Sequence, residues 1–181
     1  MKVAVSSADA QVAIVDYDRA WPERFRAERD MLTEALQQWL VGPPEHIGST
    51  AVPGLAAKPI IDIMAPVRSL AASEGAIARA VQSGYVHYPY KPDAMHWFCK
   101  PSPSVRTHHL HLVPADSRLW RERLAFRDAL RSSAVLRAEY QELKQRLARL
   151  HRCDREAYTD AKSPFVVRVL ASALPSDAGA Q

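Results

Sequence analysis

The run Pro59-Ile60-Ile61-Asp62-Ile63-Met64-Ala65-Pro66-Val67 constrains the fold more than any other stretch of the chain. Apolar residues fill both parities of its alternation, the pattern of a strand covered on both faces, and strands of that kind lie in the middle of a sheet. Asp62 alone puts a carboxylate inside it. Thirteen positions earlier stands Ser49, in the small-residue turn Gly48-Ser49-Thr50 that follows the short apolar run Glu45-His46-Ile47. A loop punctuated by Pro53, Gly54 and Pro59 joins turn to strand. That length lets the chain loop out and return beside the first strand.

Around this pair the remaining elements follow from periodicity. Gln11–Tyr17 reads as a first strand. Phe25, Leu32, Leu36 and Trp39 or Leu40 recur at helical spacing after Pro22, and Gly42-Pro43-Pro44 is expected to stop that helix. Residues 70–84 read as a second helix with Gly84 at its C-terminal cap. Tyr85–Tyr90 and Met95–Lys100 look like strands about a turn at Lys91-Pro92-Asp93, and Val105–Pro114 like another. Beyond Pro114 the character becomes helical. Leu136, Tyr140, Leu143, Leu147 and Leu150 form one seam, and Ser163-Pro164 reads as an N-cap and first-turn pair. The order β-α-β-β-α-β-β-β followed by helices predicts an α+β or mixed α/β domain with a C-terminal helical layer, one domain over 12–174 with flexible termini at 1–11 and 175–181.

Composition narrows the function classes. Six glycines with no two closely spaced exclude a G-x-G-x-x-G dinucleotide fingerprint. The stretch from Gly54 to Lys58 lacks the first glycine and the Ser/Thr of a P-loop, and no serine sits in a G-x-S-x-G elbow. Two distant cysteines, Cys99 and Cys153, exclude a disulfide framework, and Cys99 in its strand context reads as a small core residue. There is no signal peptide or membrane-spanning run, so the cytoplasm is the expected compartment and no membrane partner is expected. From Arg118 to Arg168, thirteen Lys or Arg face seven Asp or Glu. Such a surface attracts phosphates of a nucleotide or of RNA, or is a solvated helical exterior.

A Gly-Ser turn can offer amides and a hydroxyl to phosphates, and a carboxylate on the neighbouring strand can hold a divalent ion against them. The alternative is a loop followed by a strand whose Asp caps a turn or pairs with an Arg. His109 and His111, two apart on a strand, share one face, with His108 on the other and Arg106 on the approach. Tyr158 and Lys162, four apart, share a helical face, where a Lys stem over a Tyr ring at the surface is the simplest reading.

Five motifs in order, "VDYDRAWPERFRAER", "EHIGSTAVPGLAAKPIIDIM", "RTHHLHLV", "LAFRDALR" and "YTDAKSPFV", resemble the GrpB family over about Val12 to Val169. The resemblance implies a nucleotidyltransferase-like mixed sheet with flanking helices. In that superfamily pattern a Gly-Ser turn precedes two acids alternating on a strand, with a third acid on a later strand. Gly48, Ser49 and Asp62 match, Met64 stands at the second acid, and His109 and His111 stand where the third is expected. One Asp with imidazoles suits a single divalent ion, Mg or Mn or a softer one. The resemblance thus implies nucleotidyl or phosphoryl transfer involving a nucleotide or phosphorylated small molecule. Gly48, Ser49, Thr50 and Lys162 would bind phosphate, Asp62 with His109 and His111 the metal, and Lys58 and Arg106 would offset developing charge. Other candidates are a non-catalytic phosphate-binding module, an RNA-binding accessory protein using the basic helices, and a structural partner docking through the helical seam.

Overall fold

In the computed structural model, which describes residues 12–174, the apolar run becomes strand β2 (Ile61–Val67) of a five-stranded mixed sheet. Helix α1 (Trp21–Leu36) and strand β1 (Glu45–Ile47) precede it. Helix α2 (Glu74–Gln82), strands β3 (Val86–Tyr88), β4 (His96–Pro101) and β5 (Arg106–Pro114), and helices α3 (Arg118–Ser132), α4 (Ala134–Leu150), α5 (Arg155–Asp160) and α6 (Ser163–Ala173) follow. The strand order is β1-β2-β5-β4-β3. Only β2 and β5 run parallel; every other pair is antiparallel. The chain therefore lays down α2 and the β3–β4 hairpin before β5 returns to the strand that specified the sheet.

The two faces of β2 meet different layers. Ile61, Ile63, Ala65 and Val67 pack against Leu32 and Leu36 of α1 and Ala76 and Ala80 of α2. Leu32 and Leu36 are fully buried, each contributing about 1.5–3 kcal/mol of apolar burial. On the opposite face Met64, Trp97, Cys99 and Val113 are covered by Leu119, Trp120 and Leu124 of α3. Ser117 caps that helix, accepting from the Trp120 amide at 3.3 Å. Cys99 is a fully buried core residue, as its context predicts.

Several expectations need correction. Val15 makes only an isolated antiparallel bridge to Ala57, outside the sheet, while Val12 and Ile14 pack on Leu147 and Tyr158. Gln11 and the proposed flexible termini lie outside the described residues. Helix α1 ends at Leu36, before the Gly-Pro-Pro stop. Trp39 leaves the helical path to pack on Gly75, where an added Cβ would sit 3.0 Å from its ring, and Leu40 bridges Val67. The seam of α4 is buried at Tyr140 and Leu147 but ends before Leu150, which is 69% exposed beyond the last turn that has neighbours. Lys162, not Ser163, is the N-cap of α6, with no side-chain cap; Ser163 and Pro164 both lie in the first turn. Among the described residues no helix is long and apolar enough to cross a membrane.

Candidate metal and phosphate site

Strand register assembles the site. Asp62 on β2 lies beside His109 on β5, and Ile47 on β1 lies beside Asp62. His111 follows two residues along β5 on the same face. His109 Nδ1 is 2.9 Å from Asp62 Oδ1, and His111 Nε2 is 3.8 Å from the same oxygen. The two-residue periodicity thus places both imidazoles, and His108 faces the other way, as expected.

Gly48 closes the site from the turn. Its backbone, at φ 71° and ψ −173°, occupies a region reserved for glycine, and a Cβ there would stand 2.5 Å from Asp62 Oδ2. The glycine therefore lets the Gly48-Ser49 turn approach the carboxylate. Ser49 begins a short 3₁₀ turn through Ala51, and Tyr140 of α4 packs on Val52 and Leu55 just after it. Burial pushes the Tyr140 phenol up to about 12.

Protonation can be assigned from partners. Burial works against ionisation of Asp62, but the His109 hydrogen bond and the nearby His111 outweigh it and hold the carboxyl well below the usual range. An ionised carboxylate only accepts, so His109 Nδ1 donates to it, which leaves Nε2 as the ring atom able to offer a lone pair to a ligand. His111 Nδ1 lies 3.3 Å from the Met95 sulfur, itself only an acceptor, and burial keeps this imidazole neutral by lowering its pKa. His111 Nε2 then also carries a lone pair. Both Nε2 atoms are buried without a hydrogen-bond partner. Asp62, His109 and His111 bring one ligand atom each within 4.8 Å of one another. One carboxylate and two imidazoles fit a single divalent ion; the set lacks the carboxylates a two-ion centre needs.

The cations lie on the helical side. Lys58 Nζ is 4.1 Å and Lys162 Nζ 4.4 Å from the centroid of the Tyr158 ring. Tyr158 is buried in a cluster with Val12 and Leu147, so this is no surface stacking. Burial lowers Lys162 to about 8; Asp62 opposes that shift and Arg123 reinforces it. Thr50 is buried, its hydroxyl 3.0 Å from His46 Nε2 and donating to the Ile60 carbonyl at 3.1 Å. Arg106 lies on the other flank, 5.4 Å over the Trp97 ring, donating to the Pro103 carbonyl at 2.8 Å. Register thus unites Gly48, Ser49, Asp62, His109 and His111, and the field of Asp62 reaches Lys162, whereas Thr50 is turned inward and Arg106 stands on the aromatic side.

Three residues escaped the sequence reading. Tyr140 is buried against Val52 and Leu55 just beyond the Ser49 turn, Arg123 on α3 acts electrostatically on His111, Tyr140 and Lys162, and Lys144 is buried with its ammonium on the Ala56 carbonyl. Burial lowers Lys144 to about 7, with Lys162 adding to the effect. Tyr140 was legible only as a seam residue, and Arg123 and Lys144 carry no local signal.

Comparisons with known proteins agree with this architecture. A UPF0157 protein of Pseudomonas aeruginosa is 39% identical over 180 residues, covering 92% of this chain and 69% of that protein. The glutamate-rich protein GrpB of Alkalihalophilus pseudofirmus is 33% identical over 165 residues, covering 88% and 94%. The crystal structure of the conserved protein GrpB from Enterococcus faecalis superposes with a TM-score of 0.80 at 31% identity, covering 89% of this chain and 96% of that one. The Cid1 poly(U) polymerase, at 14% identity, shares the fold with a TM-score of 0.51 over 82% of this chain and 49% of its own. The sheet is therefore nucleotidyltransferase-like in fold. With the GrpB protein profile matching residues 11–172, the chain belongs to the GrpB family.

Proposed function

We propose that the protein binds a nucleotide or phosphorylated small molecule between the Gly48-Ser49 turn and Asp62 with one divalent ion, and transfers a nucleotidyl or related phosphoryl group from it to a small-molecule or RNA acceptor. The acceptor's oxygen forms the new bond to phosphorus as the remainder of the donor leaves on its own phosphate oxygen. The observation that carries this reading is the convergence of an ionised carboxylate and two unpartnered imidazole Nε2 atoms beside a glycine turn pressed against that carboxylate. Asp62, His109 and His111 would hold the ion, which when bound supplies charge neutralisation for phosphoryl oxygens. The turn contributes amides and the Ser49 hydroxyl. Lys58 and Lys162, held against Tyr158, offset negative charge on the phosphates. Cid1, whose fold this chain shares, is known with Mg and 3′-dATP bound, which makes nucleotides the first ligands to test.

Met64 favours a second reading, binding without turnover. It is fully buried where the superfamily pattern has a second acid, and the carboxylate it replaces is part of a two-ion centre.

Thermal unfolding of the wild type and Asp62→Ala with Mn²⁺ or Zn²⁺, alone and with nucleoside triphosphates, tests the site. An ion at about a hundred times its Kd adds roughly 2.7 kcal/mol, or about 5–10 °C for a chain of this size. The shift is expected in the wild type and absent in Asp62→Ala. Equal shifts in both, or none in either, would refute the metal site. Product analysis on the same mixtures separates transfer from binding alone.

A further inference from the structure

On the site face, in-register positions continue the triad outward to the edge of the sheet. Met64, His111, Trp97 and Tyr88 lie side by side on β2, β5, β4 and β3. Each strand step is about 4.8 Å, so Tyr88 stands about 10 Å across the sheet from His111. The rings form a continuous series. Trp97 lies tilted against His109 at 4.9 Å and edge-on to His111 at 6.5 Å. Tyr88 and Tyr90 each stand against Trp97 at 6.1 Å. Trp97 is buried, with Arg106 over its ring, so it serves as a support. Tyr88 and Tyr90 are 48% and 41% exposed, and the Lys91 ammonium sits 5.5 Å from the Tyr90 ring.

This patch differs from a random exposed apolar face in two respects. Its aromatic rings are anchored to one another and to the metal-ligand candidates, so little side-chain freedom remains to be lost on contact with a flat ligand. Cations touch its rings, Arg106 over Trp97 and Lys91 over Tyr90, and Lys162 and Arg123 lie within electrostatic reach of the Asp62 end. A ligand that reaches from the Ser49–Asp62 end to the two exposed tyrosines is anionic at the first and planar and aromatic at the second.

We propose that Tyr88 and Tyr90, supported by Trp97, form a stacking ledge for the base of a nucleotide whose phosphates lie at the Ser49–Asp62 site. The substrate class is therefore a nucleotide rather than a phosphorylated sugar or bare polyphosphate. This rests on the phosphate-site reading above. The ledge stacks on π-faces, which every base presents, so it is tolerant of base identity.

Isothermal titration with ATP, GTP, CTP, UTP and tripolyphosphate, each with Mn²⁺, tests it on the wild type and on Tyr88→Ala/Tyr90→Ala. Tyr90→Ala alone, a change in an exposed turn, and Tyr88→Phe/Tyr90→Phe serve as milder variants. Stacking on an aromatic side chain corresponds to about 5- to 150-fold in affinity. At least one nucleotide is expected to bind the wild type that much more tightly than tripolyphosphate. The double alanine variant should lose this advantage, Tyr90→Ala should lose part of it and the phenylalanine variant should keep it, with tripolyphosphate affinity unchanged throughout. Equal binding of tripolyphosphate and all nucleotides by the wild type would overturn the ledge and leave the phosphate site standing. A nucleotide advantage surviving in Tyr88→Ala/Tyr90→Ala, or a parallel loss of tripolyphosphate affinity, would also overturn it. Binding of neither ligand class would refute the phosphate site and the ledge with it.

Discussion

Gly48→Ala isolates the contact that defines the site. Two costs are separable. The backbone at φ 71°, ψ −173° lies in a region almost confined to glycine, which costs an L-residue about 1–3 kcal/mol. The new Cβ would lie 2.5 Å from Asp62 Oδ2 and 3.2 Å from its Cβ and Cγ, so strand or turn must shift, at about 1–3 kcal/mol more. The sum, about 2–6 kcal/mol, corresponds to a fall in Tm of roughly 5–20 °C at this chain length. Gly54→Ala is the control. Its φ is 78°, yet a Cβ there meets nothing within 4 Å, so only the backbone cost applies. Urea denaturation of both variants, each also in an Asp62→Ala background, forms a double-mutant cycle. The Gly48→Ala cost should shrink towards that of Gly54→Ala once the carboxylate is removed. Identical costs for the two glycines, or no coupling between Gly48 and Asp62, would refute the claim that the turn is pressed against the carboxylate.

Two further measurements concern groups around the site. His46 is buried, stacked on Phe25 at 4.6 Å, and burial lowers its pKa to about 4, with Asp62 opposing and Arg131 and Arg127 reinforcing the shift. The unfolded chain therefore takes up this proton more readily, and stability should fall as pH drops below about 6.5 towards 4. The loss is about 2 kcal/mol between pH 7 and pH 5, and His46→Gln should flatten that part of a urea-denaturation pH profile. Arg127 is buried on α3 and donates to Glu45 Oε2 at 2.6 Å and to the His46 carbonyl at 3.1 Å, tying α3 to β1. Arg127→Ala should cost about 2–4 kcal/mol, read as a lower urea midpoint at unchanged slope, because it leaves those acceptors without their donor.

What the sequence disclosed and what it hid follow from the range of the interactions involved. Alternation on a strand is local, so His109 and His111 sharing a face, and Asp62 interrupting a central strand, were both legible. Which strand would lie beside β2 was not: β3, β4 and β5 all read as strands, and β5 is chosen by packing across the whole sheet. Helical period misled at Trp39 and Leu40 because their spacing continues that of α1, while contact with Gly75 and Val67 draws them off the helix. The Tyr158–Lys162 spacing showed the pairing but not its burial, which comes from Val12, Leu147 and the rest of a cluster remote in sequence. Arg123 and Lys144 look like any other cation of an Arg-rich helix until the helices are folded down onto the Ser49 turn.

The parallel pairing of β2 with β5 also bears on how the chain folds. Asp62 and His109 are 47 residues apart, with α2 and the β3–β4 hairpin between them in the chain. Non-local pairings of this kind repay their loop-closure entropy only late on the folding pathway and lower the folding rate. A partly folded chain therefore lacks the assembled donor set, and an ion that needs all three donors recognises the native state alone. Its stabilisation would accordingly appear as slower unfolding, with the rate of folding little changed.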